Sequence, residues 1–155
     1  MAAVLDLLIT VYVMGINTHS PSIHSPVPII LGPTAVGKTE ISIELARRLG
    51  GEIISADAFQ VYRGMDIATA KPSREQRKAV PHHLVDILDP NEKYNAAVFR
   101  SLALRLIDEI RSRQHLPLVV GGSGMYLRTL IDGLFEAPSA DRDYRRRLRE
   151  EENEK

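Results

Sequence analysis

The feature that most constrains this chain is one eight-residue run, Gly32-Pro-Thr-Ala-Val-Gly-Lys-Thr39, which matches G-x-x-x-x-G-K-[ST]. Each part has a physical reason. The glycines let the backbone turn tightly, so that several N–H groups point at one anion. A helix starting directly after the loop aims its positive dipole end at the same place. Lys38 adds a full, mobile charge for phosphate oxygens, and the Thr39 hydroxyl is suited to ligate Mg2+.

The flanks agree with this reading. Residues 27–31 are a short apolar run bounded by turn residues, as in a strand buried on both faces. From Lys38 to Leu49 the apolar positions Ile41, Leu45, Ala46 and Leu49 recur at helical spacing, and Gly50-Gly51 ends the run. Gly32, Pro33, Thr34, Ala35, Val36, Gly37, Lys38 and Thr39 therefore form a loop for a diphosphate or triphosphate. The loop alone does not name the molecule, since ATP- and other nucleotide-binding kinases, hydrolases and some transferases share it.

The rest of the chain repeats the strand–helix alternation. Residues 52–55 and 117–120 read as further strands. A short helix is expected over 73–79, and a long one after the N-cap candidate Asn95, with Phe99, Leu102, Leu106 and Ile110 on one face. Another helix is expected over 125–131. The pattern predicts an α/β fold, a parallel sheet flanked by helices in the manner of P-loop NTPases. Residues 1–26 read as leader and linker, 27–138 as the catalytic core, and 139–155 as a charged helix starting at Ser139 or Asp141. Within the leader, Asp6 interrupts an apolar run too short for a membrane span, and Met14 is an alternative start. A cytoplasmic protein without membrane association is expected. The absence of cysteine excludes a disulfide framework and Cys-ligated zinc. Lys and Arg (20) balance Asp and Glu (20), so net charge names no polyanionic partner.

Three further clusters carry chemistry. Asp57 stands just past the 52–55 strand, and the carboxyl ends of parallel strands open onto the ligand crevice. It is expected in the same cleft as Lys38, as a Mg2+-linked carboxylate or a general base. Gly121-Gly122-Ser123-Gly124 follows the 117–120 strand and would allow close approach of a ligand, with the Ser123 hydroxyl in the crevice. His82 and His83 are adjacent, so in an extended segment they point to opposite faces, and they read as structural or surface residues. Arg145, Arg146, Arg147 and Arg149 read mainly as a solvated helix face beside Glu150 and Glu151.

Taken in order, several stretches resemble the tRNA dimethylallyltransferases (isopentenyltransferases). They are residues 32–39, 52–57, 60–72 (Gln-Val-Tyr-Arg-Gly-Met-Asp-Ile-Ala-Thr-Ala-Lys-Pro), 81–86, 118–127 and 138–141. The resemblance implies transfer of a prenyl group from dimethylallyl diphosphate to N6 of an adenosine beside the anticodon of tRNA. It implies that the phosphate loop holds the diphosphate of this donor, that Mg2+ assists, and that Asp57 is the catalytic base. By the same resemblance Ser123 helps fix the target amine, Asp57, Ala58, Phe59 and Gln60 touch the flipped-out base, and Arg145 contacts tRNA. The chain departs from the family at Ala58 (commonly Ser), Ala68 (commonly Gly) and Ser123 (commonly Thr). Family members continue well beyond residue 155, so a C-terminally truncated, monomeric fragment is expected, binding diphosphate weakly and unable to modify tRNA alone. The competing readings are an adenylate isopentenyltransferase and a P-loop small-molecule kinase.

Overall fold

The computed structural model describes residues 10–14, 26–67 and 69–134, together with 146, 147, 150 and 152. In chain order the elements are β1 (Thr10–Met14), β2 (Val27–Leu31), α1 (Lys38–Leu49), β3 (Gly51–Ser55) and α2 (Arg74–Ala79). They continue with β4 (His82–His83), α3 (Ala96–Ser112), β5 (Leu116–Gly121) and α4 (Gly124–Asp132). One sheet runs β1-β2-β5-β3-β4. β2, β5, β3 and β4 are mutually parallel, with Ile29 opposite Val119 and Ile53 opposite Leu118. β1 lies antiparallel on the outer edge of β2, Thr10 opposite Leu31. Pairing of residues 10–14 was not legible from their apolar character, because a strand held only by its neighbour needs no pattern of its own. The two-residue β4 was equally hidden, being too short to show periodicity.

Alternation along the strands divides the core in two. Ile29, Ile54 and Val119 face one way and pack with Phe99, Ala103, Ile107 and Ile110 of α3 and with Tyr126, Leu127 and Leu130 of α4. Ile30, Ile53, Leu118 and Val120 face the other way, toward Ala46 of α1 and Val80. Each large side chain fully buried in this way contributes about 1.5–3 kcal/mol. The helix ends are built as their sequences suggest. Asn95 Oδ1 accepts from the Ala97 and Val98 amides at 3.0 Å each. Ser73 and Gln76 close a capping box at the head of α2.

The expected helix faces needed correction. In α3 the buried stripe is Phe99, Ala103, Ile107 and Ile110, whereas Leu102 and Leu106 are only half-buried. In α1 the buried positions are Ser42 and Ala46, while Ile41 and Leu49 stand exposed. Small residues win there because α1 lies close on the sheet: a Cβ placed on Gly51 would sit 3.4 Å from the Ala46 Cα. Ser42 is accommodated by donating to the Thr39 carbonyl at 2.9 Å.

Candidate active site

β2, β3 and β5 end together, and that shared edge is where the phosphate loop turns. Gly37 precedes α1 at φ +86°, in the left-handed region that glycine enters without penalty. Among the described residues no side chain caps this helix start, which leaves first-turn amides free to bind an anion. Lys38 folds back across the loop, its Nζ donating to the Pro33 carbonyl at 2.5 Å. Burial lowers the Lys38 pKa from its ordinary value, and the nearby Asp57 carboxylate opposes that shift.

At the end of β3 the Ala56 amide donates to the Val120 carbonyl at 2.8 Å, locking β3 against β5. The contact needs glycine next in β5, because a Cβ on Gly121 would stand 2.1 Å from the Ala56 carbonyl oxygen. Asp57 follows and closes a turn on itself. One carboxylate oxygen, Oδ1, accepts from the Phe59 amide (2.8 Å) and the Gln60 amide (3.2 Å). Gln60 is committed to the scaffold on both ends of its carboxamide. Its Oε1 accepts from Ser55 Oγ at 2.9 Å, and its Nε2 donates to the Thr69 and Ala70 carbonyls at 3.2 and 3.0 Å.

These parts enclose one cavity of about 650 Å3, whose wall includes Lys38, Thr39, Asp57, Phe59, Gln60 and Gly122. Lys38 and Asp57 thus open onto the same space. Phe59 is 58% exposed at the rim, its ring in no aromatic contact among the described residues. Of the phosphate loop, Thr34, Ala35, Gly37, Lys38 and Thr39 line the cavity, while Gly32, Pro33 and Val36 lie outside its lining. Ala58 packs against the α3-side core. Ser123 does not line the cavity; it heads α4, where its amide reaches the Ala56 carbonyl at 3.4 Å. Arg145, Ala68 and the helix start expected at Ser139 or Asp141 lie outside the described residues.

The histidines separate as alternation requires, but not into two bland roles. His83 turns to the α3 face, where its Nε2 meets Glu52 at 2.6 Å. His82 enters the cavity wall. Its Nδ1 lies 2.7 Å from the Val80 carbonyl, which only accepts, so the proton sits on Nδ1. Burial, the largest influence, lowers the His82 pKa and keeps the ring neutral near pH 7, leaving Nε2 as an acceptor. Its place in the wall was signalled in the sequence only by the alternation that sends one histidine to each face.

In the core on the α3 and α4 side, outside the cavity lining, Tyr94 and Tyr126 meet edge to face, with centroids 5.7 Å apart, and Tyr126 stacks on Phe99 at 5.0 Å. Burial raises both phenol pKa values, and the Asp57 carboxylate adds to the effect. The Tyr94 hydroxyl is buried without a hydrogen-bond partner among the described residues. No group of three or more His, Cys, Asp or Glu able to hold a metal occurs among them. The oxygens at hand, the Thr39 hydroxyl and an Asp57 carboxylate, suit a hard divalent cation that arrives with a diphosphate.

Residues 60–155 match the family model described as IPP transferase, which is more than half of the chain. The chain belongs to that family. Residues 25–87 also match a model described as isopentenyl transferase. The tRNA dimethylallyltransferase of Desulfotalea psychrophila is 52% identical over 129 residues, covering 83% of this chain and 41% of the relative. The tRNA dimethylallyltransferase of Staphylococcus carnosus is 58% identical over 103 residues, covering 66% and 33%. Among solved structures, the full-length tRNA isopentenylpyrophosphate transferase of Bacillus halodurans superimposes with a TM-score of 0.67 at 51% identity, over 82% of this chain and 42% of that one. A eukaryotic dimethylallyltransferase acting on tRNA gives a TM-score of 0.66 at 34% identity, over 74% and 29%. The chain therefore spans about two fifths or less of the family relatives it matches. No helix among the described residues is long and apolar enough to cross a membrane.

Proposed function

We propose that this chain supplies the donor pocket and the base of a transferase that moves a dimethylallyl group from dimethylallyl diphosphate to N6 of an adenosine next to a tRNA anticodon. The observation that carries the reading is the shared cavity, with an anion loop ending in Lys38 and Thr39 and the Asp57 carboxylate opening onto the same space. The identity to proteins named for this reaction supports it.

In the transfer, the bond between C1 of the donor and its diphosphate oxygen breaks, a C1–N6 bond forms, and the second N6 proton passes to Asp57. Adenine N6 is a weak nucleophile because its lone pair is delocalised into the ring, so departure of diphosphate must lead. Lys38 and the loop amides stabilise the charge growing on that leaving group. Mg2+, held by the Thr39 hydroxyl and the diphosphate, would add Lewis-acid neutralisation of the same charge. Asp57 is fit for its part because turn amides occupy one oxygen and fix its orientation. The base must leave its stack to reach the cavity, and the exposed ring of Phe59 at the rim suits it. Ser123 and Arg145 would contact the tRNA. We place this chemistry in the cytoplasm and in a monomer.

Donor identity tests the proposal. Calorimetric titration should show dimethylallyl diphosphate binding, abolished by Lys38→Ala. Tight ATP binding with indifference to dimethylallyl diphosphate would turn the reading to a kinase. If AMP outcompeted an anticodon stem-loop as prenyl acceptor, the adenylate isopentenyltransferase would replace it.

A further inference from the structure

The cavity wall contains a second lysine, Lys71, and its ammonium is already spent. The side chain is only 5% exposed. Nζ donates to the Tyr62 carbonyl at 2.6 Å, to Asp66 Oδ1 at 2.8 Å and to Asp86 Oδ1 at 2.6 Å. An ammonium has three protons, and all three are used, so none remains for a phosphate. Lys71 is thus unlike Lys38, whose one hydrogen bond among the described residues is to a loop carbonyl that a ligand can replace.

What Lys71 holds is the return arm of residues 66–72, which walls the cavity with Thr69, Ala70 and Pro72. The arm contains no helix or strand over its described residues. Its large apolar residue, Ile67, is 94% exposed and anchors nothing. Its ties are Lys71, the buried Pro72, Thr69 Oγ1 to the Met65 carbonyl at 2.7 Å, and the Gln60 carboxamide. Strain collects at this unit. Ala70 sits at φ +48° and Asp86 at φ +55°, both in the left-handed region that residues with a side chain avoid. Such conformations persist only where the surroundings over-determine them, and they mark positions whose geometry matters. Lys71 joins the two: it follows Ala70 in the chain and clamps Asp86, which Arg77 Nη1 also holds at 2.6 Å.

We infer that Lys71 is a positioning residue for the acceptor side of the cavity. It acts through the arm and through Gln60, whose amide proton donors are aimed at the arm's carbonyls, and it does not touch the diphosphate. The role in transfer rests on the function proposed above. Losing Lys71 should free the arm, release the Gln60 carboxamide and leave the phosphate loop as it was.

The test compares the chain with its Lys71→Met and Asp66→Asn variants by NMR hydrogen exchange and by titration with inorganic diphosphate. Lys71→Met keeps the buried stem and leaves Asp86 paired with Arg77, so the fold has support. Asp66 is 73% exposed, so Asp66→Asn removes the negative charge facing Lys71 and leaves a weaker, neutral acceptor without touching the core. Exchange of the Gln60 side-chain amide, which donates to the Thr69 and Ala70 carbonyls, should rise about tenfold in Lys71→Met and about threefold in Asp66→Asn, a local opening that leaves the core closed. Diphosphate affinity should stay within about twofold, because the loop's ligating groups are untouched. Unchanged exchange at Gln60 in both variants would overturn the inference. So would a parallel fall in diphosphate affinity, or a uniform rise across β3 and α1 showing that Lys71 merely supports the whole fold. Failure of the unsubstituted chain to bind diphosphate would count against the proposed function, and the exchange contrast would still judge Lys71.

Discussion

Glu52 offers the sharpest test of how this fold is held, because the chain has buried a carboxylate at the end of the sheet remote from the cavity. It is 3% exposed at the start of β3, and five residues of strand place it about 16 Å from Asp57. Its Oε2 meets His83 Nε2 at 2.6 Å and Arg113 Nη2 at 3.0 Å, and its Oε1 meets His115 Nδ1 at 2.7 Å. One side chain thereby joins β3, β4, the end of α3 and the turn into β5. Burial alone would raise its pKa; the bonds from His83, Arg113 and His115 outweigh that and hold it at about 2, against an ordinary 4.5. That shift corresponds to about 3 kcal/mol of stability. Arg113 and His115 are partly exposed, which discounts the figure to about 2 kcal/mol in solution.

Glu52→Gln tests the estimate. A carboxamide offers one oxygen to accept but turns an NH2 toward neighbours that also donate, so one bond must break or one imidazole must change tautomer. Urea denaturation at pH 7 should show a loss of about 2 kcal/mol, and the thermal midpoint should fall about 4–8 °C. Because the folded pKa is depressed, the contribution is complete above about pH 4.5 and disappears as pH falls toward 2; by pH 3 roughly half or more should be gone. The curves of the two proteins should therefore converge on acidification. A variant within about 0.5 kcal/mol of the parent at pH 7, or a gap that persists unchanged at pH 3, would refute the reasoning.

Three other changes follow from the same geometry. Gly121→Ala must push β5 away from the Ala56 carbonyl, 2.1 Å from the new Cβ, and should cost about 3 kcal/mol or more by denaturation or prevent folding. Asn95→Ala removes the acceptor for two first-turn amides of α3 and should cost about 1 kcal/mol in the same assay. Asp57→Asn should leave dimethylallyl diphosphate binding in place while abolishing transfer. It also removes the carboxylate that holds the Lys38 pKa up, so the alkaline loss of binding should move to lower pH, read by titration across pH 8–10, a window set by the ordinary lysine range.

How much of this was legible beforehand depends on how locally each feature is determined. The phosphate loop, Asn95 and Ser73 are local: a turn or cap reads its own few residues, and the structure places α1, α2 and α3 where those signals stand. The cleft shared by Lys38 and Asp57 was legible too, because parallel strands put their carboxyl ends on one edge whatever the side chains. What escaped needed knowledge of partners distant in sequence. Glu52 read as an ordinary strand residue because Arg113 and His115 lie 61 and 63 residues away. Ala46, Phe99 and Ile110 were read correctly, but the rest of the α1 and α3 stripes was misjudged by hydrophobicity, since distance to the sheet, not apolar character, decided that Ser42 and Ala103 go inside. Ser123 was expected in the crevice from its place in the chain, yet starting α4 there carries it out of the cavity lining.

The placement of strain gives these pieces a common logic. Five residues other than glycine adopt positive φ among the described residues, and two of them, Ala35 and Ala70, line the cavity. Two more, Leu84 and Asp86, lie just after β4, where Asp86 receives Lys71. Only Gln114 is near the Glu52 cluster, in the tight turn between α3 and β5. A parallel sheet has two ends, and this chain treats them differently. At one end a buried carboxylate with three donors ties four segments together, outside the cavity lining. At the other, backbone held in costly conformations shapes a pocket. If the first stabilises the second, Glu52→Gln should weaken diphosphate binding only through the fraction of chain unfolded, and restoring the fold with an osmolyte should restore the affinity in full. A binding deficit that survives refolding would mean that the two ends are coupled through β3 itself.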